Sequence, residues 1–287
     1  MKSFLISLIT AIVTALLVMQ FAGHDSGAKT ESKMNRAYER VMKTRTLRCA
    51  YAMWPPYAFI KDPNTGKFSG FIPDYLELMA KNLNIKIEYT EETGYGAQAI
   101  EGLKAGRFDA FCTGMNKNAP RGQHIMYTDT IFYSPIYVYA RANDHRFDKD
   151  WSILNDPQYT LSIMDGEATD AVAKNTFGKA KVFSLPQNSE MSLLYSNVAQ
   201  GKADVLFSDV PMSEGYMKNN PGKLRRVNDE AVLTYTIGIP INNDEPKLKT
   251  MLDAALTELL ANGSIASLIS QNDPTHGYFA ADFYYRK

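Results

Sequence analysis

From Leu47 onward, short apolar runs alternate with segments whose apolar residues recur every three or four positions. Leu47–Tyr51 reads as a strand. It must end before Trp54-Pro55-Pro56-Tyr57, because consecutive prolines cannot continue a ladder. Asp62-Pro63-Asn64-Thr65-Gly66-Lys67 carries turn punctuation. Tyr75, Leu76, Met79, Ala80 and Leu83 then share one face of a helix predicted over 73–83, with Pro73 near its start. Ile85–Tyr89 alternates as a half-buried strand, 97–105 predicts a short helix ending at Gly106, and Phe108–Cys112 predicts another strand. A second series follows: strand Tyr159–Met164, a helix opened by Asp165–Thr169 and running to about Thr176, strand Lys181–Ser184, helix 189–200 and strand Val205–Phe207. Thr234–Ile239 reads as a last strand. Asp244-Glu245-Pro246 opens a helix stopped near Gly263, and a short helix over 264–270 follows. Strands alternating with helices predict βαβ units and a largely parallel sheet.

One short pattern occurs twice. Gly106-Arg107-Phe108-Asp109-Ala110-Phe111 resembles Gly201-Lys202-Ala203-Asp204-Val205-Leu206, 95 residues later. Each has a helix-ending Gly, a basic residue, an Asp and an apolar strand, as expected of two lobes built on one plan. The predicted organisation is 46–134 for the first part of lobe 1, 135–232 for lobe 2, 233–271 for a return to lobe 1, and 272–287 for a C-terminal tail.

The first residues differ in character. Fifteen of the twenty residues from Ser3 to Ala22 are apolar, after Lys2. Residues 1–28 therefore read as a signal peptide, with Ser26-Gly27-Ala28 as a small-residue cleavage site, or as an uncleaved membrane anchor over 3–23. Either places the bulk of the chain outside the cytoplasmic membrane. Residues 29–45 form a polar lead-in.

Composition narrows the function. Over the whole chain 31 Lys and Arg balance 31 Asp and Glu, and residues 46–287 carry 24 basic and 28 acidic side chains. No basic field points to nucleic acid. His24, His124, His145 and His276 fall at no ligand spacing, so no protein-built zinc site is expected; no cofactor is expected either. Two cysteines cannot make a disulfide framework. Cys49 and Cys112, both in predicted strands, are expected as reduced core residues, although an extracytoplasmic setting would permit a disulfide. No Gly-x-Ser-x-Gly, phosphate-cradling loop or Cys–His signature argues for catalysis.

In open α/β sheets ligands sit beyond the carboxyl ends of strands. Reading past each predicted strand gives Met53, Trp54 and Tyr57, then Thr113, Gly114, Asn116 and Arg121. The second lobe contributes Glu167 and Ala168 at a helix start, then Ser208 and Asp209. Arg121 offers a donor fork for a carboxylate, Asp209 an acceptor for an ammonium, and the aromatics flat apolar walls. Each has a plainer reading: Arg121 as a surface ion pair, Asp209 as a cap of the turn into Pro211, Glu167 as a partner of the helix dipole, and the aromatics as packing. Asp109 and Asp204, which precede their strands, read as structural.

The string Leu47-Arg48-Cys49-Ala50-Tyr51, Pro55-Pro56-Tyr57 and Gly66-Lys67-Phe68-Ser69-Gly70-Phe71-Ile72-Pro73-Asp74 resembles the opening of the bacterial extracellular solute-binding proteins of family 3. Leu103–Ala110, Gly114-Met115, Arg121, Tyr127-Thr128-Asp129, Gly201–Val205 and Gly238-Ile239-Pro240 continue the likeness, which covers about residues 36–271. The resemblance implies an α/β, two-lobe, hinged periplasmic-binding-protein fold of type II with the ligand cleft between lobes. It implies a periplasmic, monomeric binding protein that serves an ABC transporter permease in the inner membrane and takes an amino acid or related carboxylate. Arg121 would clamp the α-carboxylate and Asp209 the α-amino group. Tyr57 and Tyr95 would sandwich the side chain, and Thr113, Gly114 and Asn116 would add hydrogen bonds. The loop Gly166-Glu167-Ala168-Thr169 departs from the family's small hydroxyl residues, and an acid there would repel a carboxylate or favour a cation. Two alternatives on the same fold are a cyclohexadienyl-dehydratase-like enzyme, with Glu167 or Asp209 as the acid, and a membrane-tethered sensory module.

Overall fold

The structure, a computed structural model, describes residues 34–281 apart from residue 188. The expected signal peptide or anchor and the last six residues of the tail lie outside the described residues. Among the described residues no single helix is long and apolar enough to cross a membrane.

Each lobe has a main apolar core and a smaller cluster beside it, and the two main cores divide the chain. The first is built from residues between Val41 and Phe132 and again from Ile237 to Ala280. The second is drawn from Ile136 to Val227. The first core backs a sheet ordered Lys86–Glu92, Thr46–Tyr51, Ala110–Phe111, Pro240–Asn242 and Ile125–Tyr127. The helix Phe71–Leu83 covers it, burying Tyr75, Leu76 and Met79 on the face that the periodicity marks. The second core backs Lys181–Leu185, Thr160–Met164 and Val205–Ser208, which are parallel. Phe108–Cys112 shortens to a ladder over Ala110–Phe111, and the helix expected over 189–200 forms at Ser192–Ala199.

Two antiparallel strands carry the chain between lobes. Phe132–Arg141 pairs with Leu233–Gly238 from Phe132↔Ile237 to Ile136↔Leu233. Phe132 and Ile237 belong to the first core, while Ile136, Val138 and Ala140 belong to the second. A bend along this ribbon is the natural hinge, because few other covalent segments cross.

The repeated pattern has one structural meaning in both lobes. Gly106 and Gly201 sit at φ +68° and +75°, the left-handed conformation that ends a helix without a Cβ clash. Asp109 then accepts the backbone N–H of Arg48 at 2.7 Å, and Asp204 accepts that of Thr160 at 2.8 Å. Each carboxylate thus ties its loop to the start of a neighbouring strand. Each is also paired with arginines, Arg40 and Arg48 for Asp109, Arg141 and Arg146 for Asp204.

The cysteine expectation is corrected. Cys49 and Cys112 form a disulfide with Cα atoms 5.4 Å apart. Thr46–Tyr51 and Ala110–Phe111 are adjacent parallel strands, so the residue just past one ladder falls within bridging distance of the other.

The tail is structured as far as residue 281. Asp273, fully buried, accepts the backbone N–H groups of Thr275, Gly277 and Tyr278 and the Thr275 hydroxyl. This knot turns the chain back, and Phe279–Ala280 adds antiparallel to Tyr133 and Phe132 at the foot of the hinge ribbon.

Candidate functional site

Between the lobes lies a cavity of about 440 Å³, with walls from both. Five of the ten residues expected at the site line it: Trp54, Tyr95, Asn116, Glu167 and Asp209. The other five do not. Thr113 is fully buried and its hydroxyl bridges Ala52, accepting from its N–H at 3.0 Å and donating to its carbonyl at 2.9 Å. Gly114, at φ +81°, lets the chain turn against Ile237, whose Cγ2 would stand 2.9 Å from an added Cβ. Tyr57 lies in the loop that follows the first strand, and its carbonyl accepts the Phe71 N–H. Ala168 is the first residue of the helix Ala168–Thr176. The expected sandwich is therefore corrected: Trp54 and Tyr95 are the wall aromatics, and their rings meet edge-on at 84° rather than as parallel plates.

Arg121 is the fifth, and its position matters most. It is buried behind the wall, and its guanidinium is tied to three wall residues. One nitrogen donates to Asn116 Oδ1 and the other to the Tyr95 carbonyl at 3.2 Å. Glu167, from the opposite lobe, completes the set as an ion pair at 3.6 Å. Glu167 occupies the N-cap position of its helix yet makes no capping bond, because its carboxylate is turned toward Arg121. Burial raises the Glu167 pKa from its ordinary value, while Arg121 and Gln187 oppose that rise.

Asp209 begins the helix Val210–Asn219 and serves as both cap and site residue. Oδ1 accepts the Met212 N–H at 2.9 Å, as the plainer reading foresees. Oδ2 accepts the Trp54 indole N–H at 3.2 Å and the Tyr278 hydroxyl at 3.3 Å. Burial pushes its pKa up to about 6, against the lowering effect of these three donors. Tyr278 packs its ring edge-on against Trp54.

The lobes approach closely around the cavity. An added Cβ on Gly96 would overlap the Gln187 side chain, and one on Gly277 would stand 2.4 Å from Cδ of Pro211. Glycine at these two positions lets backbone from the first lobe and the tail lie directly on the second lobe.

Two features of the site escape the sequence reading. One is Tyr278. The other is a methionine wall, in which Met115, Met164, Met191 and Met212 join the expected Met53. Its signal is present in the sequence: Met53, Met115, Met164 and Met212 lie at or just past the carboxyl ends of four strands, where ligand contacts gather. Thioether side chains are flexible and polarizable, so they mould to an apolar ligand. Tyr235 also lines the cavity, and its buried hydroxyl has no partner among the described residues.

The sequence pattern of the bacterial extracellular solute-binding proteins, family 3, matches residues 31–272. The tail that carries Tyr278 lies beyond that match. The histidine-binding periplasmic protein of Salmonella typhimurium is 24% identical over 244 residues, spanning 80% of this chain and 86% of that protein. The L-cystine-binding protein TcyA of Bacillus subtilis is 22% identical, spanning 93% of this chain and 96% of its own length. Among solved structures, the ancestral amino acid-binding protein AncCDT-1, a precursor of cyclohexadienyl dehydratase, superposes with a TM-score of 0.69. It is 22% identical and covers 82% of this chain and 97% of its own, a likeness of fold.

Proposed function

This chain belongs to the bacterial extracellular solute-binding proteins, family 3, and from that premise we propose that it captures a small, amino-acid-related solute outside the cytoplasmic membrane and delivers it to the permease of an ABC uptake system. The observation that carries this reading is the cavity of about 440 Å³ whose walls come from both lobes. Trp54, Tyr95 and Asn116 stand on one side, and Glu167, Phe207 and Asp209 on the other. A solute bridging such walls touches both lobes only when they are together. It therefore binds the closed arrangement better than the open one, which is the condition for ligand-driven closure. Asp209 and Glu167 supply acceptors for an amino group. The Cys49–Cys112 bridge suits an oxidising compartment. Sequencing the N-terminus of the exported protein reads whether it is released there or stays tethered.

We read the cleft as a binding rather than a catalytic site. A polycarboxylate substrate of the dehydratase kind would face Glu92, Glu167 and Asp209 in a wall that, among the described residues, contains no lysine or arginine. The test is a melting series of the full-length chain with amino acids and small amines. A ligand at a hundredfold excess over its Kd stabilises the folded state by about 2.7 kcal/mol. A shift with a few related compounds supports capture in the cleft. A cooperative melt that none of them moves contradicts it.

A further inference from the structure

The charges around the cavity are not those that a zwitterion needs. A protein cation favours a zwitterion's carboxylate, and Arg121, the one arginine at this site among the described residues, is already paired with an acid. Arg121 donates from one terminal nitrogen to Asn116 and from the other to the Tyr95 carbonyl, and it is ion-paired with Glu167 at 3.6 Å. Arg121 does not line the cavity, and a ligand carboxylate brought up to it would compete with Glu167 for its charge; displacing Glu167 would leave a buried carboxylate without its counter-charge, which is strongly unfavourable. Glu167 thus stands where a ligand carboxylate would stand. The cavity itself is lined by Glu92, Glu167 and Asp209, with no basic side chain among the described residues of its wall. With Arg121 balancing Glu167, the wall retains an excess of negative charge.

The rest of the lining mixes apolar and aromatic side chains with neutral polar ones, among them Gln98, Asn116 and Gln187. Five methionines, Phe207, Ile136 and Ile237 supply an apolar surface for the ligand body, and none of the neutral polar residues offers a positive charge. Trp54, Tyr95 and Tyr235 present aromatic rings to the same space. Aromatic faces with nearby carboxylates attract cations, including alkylammonium groups that donate few hydrogen bonds. We infer that the ligand of this cleft is a small organic cation with an apolar or aromatic body and no free carboxylate, such as the decarboxylated counterpart of an amino acid; the inference rests on the reading of the cleft as the solute site.

The test compares matched pairs that differ only in the carboxylate: phenylalanine with phenethylamine, histidine with histamine, leucine with isoamylamine and arginine with agmatine. Each is titrated calorimetrically into the full-length chain. The expected result is at least one amine that binds tenfold or more tightly than its amino acid. Glu167→Gln, which leaves Arg121 without its counter-charge, is expected to shift that ratio tenfold or more toward the amino acid. Amino acids that bind as tightly as their amines, or more tightly, overturn the inference while leaving the cleft as the solute site. Silence in both arms overturns the inference and the underlying reading together.

Discussion

Tyr278, nine residues from the end of the chain, donates its hydroxyl to Asp209 across the interlobe cleft at 3.3 Å. Tyr278 immediately precedes a tail strand paired to the foot of the hinge ribbon, whereas Asp209 begins a helix of the second lobe. The tail is therefore a strap between lobes. Tyr278→Phe keeps the ring against Trp54 and removes one donor from a buried carboxylate. The expected loss of stability is about 1–3 kcal/mol in urea unfolding. Wild-type stability would mean that the bond contributes nothing.

Gly277 tests the same strap sterically. An added methyl would stand 2.4 Å from Cδ of Pro211, a ring atom that cannot rotate away. Gly277→Ala must separate the tail from the second lobe, at a cost of about 1–3 kcal/mol. Small-angle scattering of the variant should show a wider molecule than wild type; an unchanged profile and melting point would refute the close approach.

Asp209 gives stability a pH dependence with a definite sign. Its pKa rises from 3.8 to about 6 on folding, chiefly by burial, with Asp273 adding to the rise and the Trp54, Tyr278 and Met212 donors opposing it. The folded state then binds a proton more tightly than the unfolded one. The stabilising contribution is complete below about pH 4 and is lost as pH climbs through about 6, amounting to roughly 3 kcal/mol. Asp209→Asn retains the cap to Met212 and should flatten stability between pH 4 and 6, measured by unfolding at each pH. An unaltered profile would assign the dependence to other groups.

The disulfide closes a loop between residues 63 positions apart. In the chain-entropy treatment such a loop is worth about 4 kcal/mol. The double variant Cys49→Ala, Cys112→Ala should lose stability of that order. A loss below about 1 kcal/mol would mean that the bridge constrains little in the unfolded chain.

The parts of this fold legible in the sequence are those set by local pattern. The face that buries Tyr75, Leu76 and Met79 follows from spacing, and the roles of Asp109 and Asp204 follow from their place before a strand. Strand-end reasoning likewise finds Trp54, Asn116, Glu167 and Asp209. What stays hidden depends on partners distant along the chain. Nothing near Arg121 announces that Glu167, 46 residues later, will take its guanidinium. The tail carries neither helical nor strand periodicity, so Tyr278 is invisible until the Asp273 turn folds it back. Cys49 and Cys112 pair because two parallel strands become neighbours, which spacing alone does not specify. Tyr57 fails for a local reason: the loop over Trp54–Phe59 uses its carbonyl to hold Phe71, and the aromatic that reaches the cavity is Trp54.

A cationic solute held in this cleft by Asp209 together with the aromatic and methionine walls must lose affinity when that carboxylate is neutralised. Wild type and Asp209→Asn are titrated calorimetrically with the tightest-binding amine at pH 7. One site per chain and an affinity at least tenfold weaker in the variant are expected. Equal affinities, with both proteins folded, would place the solute elsewhere.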